Sequence, residues 1–457
     1  MNNMYTFLKR VAAIAWLIIL AVWLIIGFGF ISNAHANPLF ARQTSLKCSS
    51  CHTIYPELTP FGRKFKLGGY TLGEREKIPL AFMAIVSRNS IRDNTDKSTG
   101  DKLFAKNREL VVEAASLFTG GKFTDYAGGF VQWTYNNLST TDNQRYVGHG
   151  ALDNTDLRLV KMTGSEEKPT FFGLTLHNNP TVQDVWNTTP AWSFPYYSPT
   201  IAGPGRGVAT FLESGVRVAG IGAYTYLFDS LYVEATSYST AKGPLSALRW
   251  GTPDVQRVSL SGSNPYWRIA YTFGGDHQNL TIGNFGSRVT MAAPDATPQG
   301  NRFTDLGFDA TYQFFSKDDH HIITAMASTI HEKADWRAGF PNGNNDNPTS
   351  NLRSTRAKLS YLYDRTYGIT GAVFKLTGDA DFARFPTNNG KPDTSGYIVE
   401  LNYWPHYIFN WDPQANVRFG LQYTGYTKFN GSKTNYDSTL RDAKDNNTLY
   451  LYAWFMF

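Results

Sequence analysis

From residue 79 to residue 457 the chain repeats short runs in which apolar residues alternate with small or polar ones. In the run Val417 to Tyr426, one side carries Val417, Phe419, Leu421, Tyr423 and Gly425, and the other Arg418, Gly420, Gln422, Thr424 and Tyr426. A period of two places these sets on opposite faces of a strand, one apolar and one wet. The same split separates Thr355, Ala357, Leu359 and Tyr361 from Ser354, Arg356, Lys358 and Ser360. It also separates Leu306, Phe308, Ala310, Tyr312 and Phe314 from Asp305, Asp309, Thr311 and Gln313, and Tyr397, Val399, Leu401 and Tyr403 from Glu400 and Asn402. The pattern predicts sixteen strands, starting near residues 79, 108, 125, 152, 170, 215, 229, 264, 277, 302, 319, 351, 365, 394, 415 and 446.

A soluble β-sandwich also alternates, so the connections decide. They run long at 94–101, short at 119–121, long at 136–151, short near Gly164 and longest at 179–214. Short turns follow at Asp229-Ser230, Gly274 to Asp276, Asp318-Asp319 and Asp364-Arg365, with long segments between them; 405–414 is intermediate. Long loops at one end and short turns at the other are what transmembrane barrels have. The expected fold is an all-β transmembrane β-barrel of about 16 antiparallel strands over residues 79–457, with a polar lumen lined by Arg158, Arg268, Arg356, Arg418, Asp305 and Glu400. The alternating end from Leu449 to Phe457, closing on Phe, resembles the insertion signal of outer-membrane barrels. An even strand number puts both barrel ends, and residues 37–78, on the periplasmic side.

Composition fits this picture without proving it: aromatics are 15%, charged residues 18%, Gly 40 residues, and mean hydropathy is −0.33. Residues 1–36 read as a secretory signal: Lys9 and Arg10, an apolar run from Val11 to Ile31, then Ala34-His35-Ala36 as a cleavage site. The competing reading is an uncleaved anchor, since about 20 apolar residues span a bilayer. The net charge of +6 includes the signal's own bases, and no basic cluster interleaves with aromatics, so nucleic-acid binding is set aside.

The chain's two cysteines lie in Cys48-Ser49-Ser50-Cys51-His52. This C-x-x-C-H spacing fits covalent haem c, each thiol adding to a vinyl group and the imidazole ligating iron. A redox disulfide or half a zinc site is the bland alternative, but no second cysteine pair and no βαβ pattern accompany it. Thr59 as N-cap, Pro60 at the first position and Gly68 as stop predict a short helix. Phe61, Phe65 and Leu67 are candidates to cover a haem face, and Arg63 and Lys66 to pair with propionates, against a solvated helix face. Residues 37–78 are too few to bury a core of their own, so the segment is expected to sit in the lumen as an α-helical haem plug completed by the barrel. Sixth-ligand candidates are Met83, His149 and His177, or another His or Met facing the lumen; an open position is the alternative. Beyond the haem itself, the sequence identifies no catalytic residue, and where Fe(II) makes contact does not follow from motif spacing.

Phe40 to Thr44, Cys48 to His52, Pro56 to Arg63, Phe65 to Leu67 and Gly69-Tyr70 together resemble the fused monohaem cytochrome-porins, outer-membrane iron-oxidising c-type cytochromes. The stretch Asn178 to Trp192 is also similar to their barrel sequence. The resemblance implies oxidation of extracellular Fe(II), an iron oxidoreductase activity, with the electron passed to a periplasmic c-type cytochrome or other soluble carrier. Outer-membrane lipid would surround the barrel. A haem-plugged or redox-gated porin, and electron export to an external acceptor, remain open. Asp318-Asp319-His320-His321 is ligand-like in composition, but its place on a short turn favours a solvated turn. The long loop from Asn178 lacks clustered carboxylates and is expected to fold inward and narrow the pore.

Overall fold

The computed structural model describes residues 38–104, 106–140, 146–165, 168–189, 203–205, 207–252, 257–292, 300–405 and 416–457. The signal expected over 1–36, and residues 190–192 of the long loop, lie outside them. Sixteen strands follow one another: β1 (Leu80–Ile91), β2 (Leu110–Lys122), β3 (Ala127–Thr140), β4 (Tyr146–Gly164), β5 (Pro169–His177), β6 (Ala219–Leu227), β7 (Leu231–Ser239) and β8 (Asn264–Gly274). The second half is β9 (Gln278–Thr290), β10 (Arg302–Phe315), β11 (His321–Asp335), β12 (Thr349–Tyr363), β13 (Tyr367–Gly378), β14 (Thr394–Tyr403), β15 (Asn416–Lys428) and β16 (Thr448–Met456). Each pairs antiparallel with its sequence neighbours, and β1 pairs with β16 from Met83↔Met456 to Ile91↔Thr448, closing the barrel. Closure removes the unpaired strand edges that a lipid environment does not tolerate.

Alternation sets the two faces. Leu359 is 58% exposed while its neighbour Lys358 is 4% exposed; Leu306, Phe308, Leu401 and Leu421 likewise face out, and Asp305, Glu400 and Arg418 are buried inside. The inner face is polar and buried because the lumen is filled, and the outer face is apolar because lipid covers it. Among the described residues no helix is long and apolar enough to cross a membrane; the crossing elements are strands.

Two strand boundaries depart from expectation. β4 begins at Tyr146 rather than near 152, and with β3 reaching Thr140 the long connection expected at 136–151 shrinks. Register shifts at Gln132/Trp133 and Asn136/Ser139 break the period of two there, and a bulge hides a strand from a reading based on alternation. β6 begins at Ala219, later than 215, because Thr210 to Val218 folds in turns against the lumen wall.

Before β1 come three short helices: α1 (Leu39–Thr44), α2 (Cys48–Cys51) and α3 (Pro60–Leu67). After β5 the chain enters the lumen through α4 (Pro180–Gln183). Asn179 caps α4 at the Val182 N–H, and Asp184 accepts from the backbone of Trp186, Thr188 and Thr189. The loop therefore folds inward, and Pro180 to Thr189 is buried throughout.

Candidate haem site

α2 is a single turn of four residues, too short to persist alone, and its carbonyls are held from outside it. The Cys48 carbonyl accepts from the His52 N–H at 3.0 Å and the Cys51 carbonyl from the Thr59 N–H at 2.9 Å. Thr59 Oγ1 donates to the Ser50 carbonyl at 2.7 Å, and Arg365, from the β12–β13 turn, donates to the Ser49 carbonyl at 2.9 Å. Thr59 also accepts from the Gly62 N–H at 3.1 Å, so one residue caps α3 and ties it to α2. The close packing explains Gly62, where a Cβ would lie 2.2 Å from the Cys51 carbonyl oxygen. α3 ends as the sequence predicts, except that Gly68 keeps φ −73° and Gly69 takes the left-handed φ of 70°.

Cys48, Cys51 and His52 line one cavity. Its wall is mainly apolar, including Leu39, Phe40 and Phe65 from this segment, Phe118 and Phe130 from the barrel, and Val185 from the inward loop. Phe40 stacks on Tyr70 at 5.2 Å and meets Phe65 edge-on at 5.1 Å. His52 Nδ1 is fully buried while the residue keeps partial exposure. Burial pushes the His52 pKa down to about 4, against the opposing Pro56 and Glu57 backbone, which keeps the imidazole in its neutral, ligating form. The thiols are not joined in a disulfide, and burial raises Cys51 to about 11, unlike the low-pKa thiolate of a redox C-x-x-C site. Two thiols one turn apart, a neutral histidine next to them and an apolar wall are a donor set that fits a c-type haem.

The remaining candidates separate. Met83 lies in the cavity wall, fully buried against Ile85, Tyr450, Tyr452 and Trp454. His177 does not reach the cavity: Nδ1 is 2.6 Å from Thr175 Oγ1 and Nε2 is 3.0 Å from the Tyr238 hydroxyl. His149 is on β4, opposite Asn136, and also lies off the cavity wall. Phe65 covers the cavity as expected, whereas Leu67 packs on Val160, Phe171 and Tyr224 in the barrel wall; such burial contributes about 1.5–3 kcal/mol. Arg63 is neither solvated nor turned to the cavity: its guanidinium donates to Gln313 Oε1 at 2.7 Å and Asn279 Oδ1 at 3.0 Å. Lys66 does line the cavity. Its ammonium bonds the Val182 carbonyl and lies 3.7 Å from Asp156, and burial lowers its pKa to about 8.

Polar lumen groups hold the N-terminal segment. Lys358 meets Glu57 at 2.6 Å, the Tyr70 hydroxyl donates to Asp156 at 2.7 Å, and Arg418 donates to the Tyr55 carbonyl at 3.0 Å. Lys64 pairs with Asp229 at 2.9 Å on the β6–β7 turn. Gln43 was not legible as important, yet its buried amide donates to the Tyr70 and Leu72 carbonyls and accepts from the Lys122 N–H. The Asp318–His321 cluster is a turn in which each group has a local partner: His320 with Asp364, His321 with Tyr361, Asp319 with Arg365. No grouping of three or more potential metal ligands occurs among the described residues.

No family model matches the chain, and no curated protein does. Among solved structures, the high-pH structure of Pseudomonas putida OprB is similar with a TM-score of 0.50, at 13% identity, over 83% of this chain and 94% of that one. The outer membrane channel DcaP of Acinetobacter baumannii gives 0.45, at 13% identity over 84% and 99%. An anion-selective porin from Comamonas acidovorans gives 0.43, at 10% identity over 83% and 98%. At such identities the likeness is one of fold alone: this chain has the closed antiparallel barrel of the outer-membrane porins.

Proposed function

We propose that the chain is an outer-membrane cytochrome: it takes electrons from extracellular Fe(II) at one covalently bound haem c and passes them to a soluble periplasmic carrier, such as a c-type cytochrome. The observation that carries this reading is the placing of Cys48, Cys51 and His52 together on one apolar cavity within a closed barrel. Bound there, the haem would supply a one-electron iron couple tuned by its ligands and surroundings. Cys48 and Cys51 would tether it, and His52 would present a neutral nitrogen to iron. Phe40, Phe65 and the inward loop at Val185 restrict water at the site, and Lys47 and Lys66 on the cavity wall are the cations that would meet the propionates.

In this reading the termini and short turns face the periplasm and the long loops face outward. The barrel wall holds the redox site between two aqueous compartments, so an insoluble ferric product stays outside. Iron as donor rests on the resemblance to fused cytochrome-porins. The second reading, a redox-gated porin, draws on the way the inward loop and the N-terminal segment share the lumen. It requires solute conductance that changes with haem state.

The two part in one experiment. The holo-protein, purified in detergent from outer membranes and fully oxidised, is mixed anaerobically with ferrous iron while the haem bands are followed. Rapid appearance of the reduced spectrum, with a rate that depends on iron concentration, is expected. A haem that stays oxidised with ferrous iron yet is reduced by dithionite overturns the iron-oxidising reading.

A further inference from the structure

We propose that Met456, on the last strand of the barrel, supplies the second axial ligand to the haem opposite His52; this rests on the haem reading above and deepens it. A low-spin c-type iron takes a neutral nitrogen or thioether sulfur as its partner ligand. The chain has 9 His and 7 Met, and of their described side chains only His52, Met83 and Met456 line the cavity. His177, His320 and His321 are engaged elsewhere. Met162 faces outward at 64% exposure, and Met326 belongs to a separate core cluster.

Between the two methionines, exposure decides. Met83 and Met456 are register partners on β1 and β16, both on the inward parity that includes Ile85 and Trp454. Met83 is 0% exposed and enclosed by its cluster. Met456 is only partly buried, packed at the edge of that cluster, and is one of the residues that line the cavity. Its backbone is pinned from the next residue, where Phe457 and Phe82 exchange backbone hydrogen bonds at 2.8 and 2.9 Å. The histidine side is linked to the same strand: the His52 ring lies 4.7 Å from Tyr55, and Tyr55 meets Trp454 edge-on at 5.2 Å. Fixed backbone on one side and a flexible thioether on the other suit a ligand that must reach a bound metal. One ligand would then come from the N-terminal segment and the other from the closing strand, so that the iron bridges the two ends of the chain.

The test uses full-length holo-protein purified from outer membranes, with barrel folding checked by heat-modifiable gel migration. The ferric protein is expected to show the thioether-to-iron charge-transfer band at the red end of the visible spectrum, with a low-spin EPR signal. Met456→Ala is expected to lose that band, and Met83→Ala to keep it. Met456→His is expected to replace it with a bis-imidazole EPR signature and a lower midpoint potential, a readout that does not depend on tolerating a truncation. Loss of the band in Met83→Ala, an unchanged thioether signature in Met456→His, or a haem-loaded wild type without the band overturns the proposal. A wild type that carries no haem overturns instead the reading on which it rests.

Discussion

Glu57 and Lys358 meet at 2.6 Å with both side chains almost fully buried, one from the N-terminal segment and one from β12. Removing the closest cation from a buried carboxylate costs about 3–5 kcal/mol, whereas replacing both partners by apolar residues of similar size can be near neutral. Lys358→Ala is therefore expected to destabilise the docked segment strongly, and Lys358→Met with Glu57→Leu to restore most of the loss, as read by thermal melting of the segment's haem absorbance. Gly62→Ala is expected to cost about 1–3 kcal/mol through overpacking against the Cys51 carbonyl, measured as lower haem occupancy and a lower melting temperature. His52 adds a pH dependence in the haem-free chain. Its folded pKa of about 4 lies below the usual 6.5, so the unfolded chain takes up the proton first. Stability is full above about 6.5 and is lost as pH falls from there toward 4. Thermal melts of apo-protein across that window check this, and His52→Phe is expected to flatten the profile.

At the scale of elements, the strands were largely legible and the lumen was not. Alternation finds strands such as β10, β12 and β15 because lipid on one side and a polar interior on the other impose a clean period of two. It fails at β4, where bulges break the register. The α3 helix was visible from Thr59, Pro60 and the glycines, but periodicity gives a helix its faces without saying which wall each one meets. Arg63 shows why: in a lumen lined by Gln313 and Asn279, a buried arginine is satisfied, which reverses the rule that charges face water. The C-x-x-C-H motif was plain, while the place of Met456 on the cavity wall comes from the barrel's closure, which pairs it with Met83. The inward loop carries a prediction at this scale. Its Asp184 gathers three backbone N–H groups, so Asp184→Ala is expected to loosen Pro180 to Thr189. Single-channel conductance in planar bilayers should rise above wild type; no change would mean that the loop does not narrow the pore.

For the whole molecule, closure and docking depend on each other. The N-terminal segment is too small to fold alone, and it is held by residues on β4, β9, β10, β12 and β15 together with turns at one end. The cavity at Cys48, Cys51 and His52 is completed by Met83 and Met456 on the first and last strands and by the inward loop. A haem held this way would be part of the barrel, not an appended domain. The most direct test is the intact mass of the acid-denatured chain, expressed with c-type haem maturation and recovered from outer membranes. The account predicts one covalently attached haem, lost when Cys48 and Cys51 are both replaced by Ala. A wild-type mass equal to the bare chain, or to the chain with a Cys48–Cys51 disulfide, would contradict it.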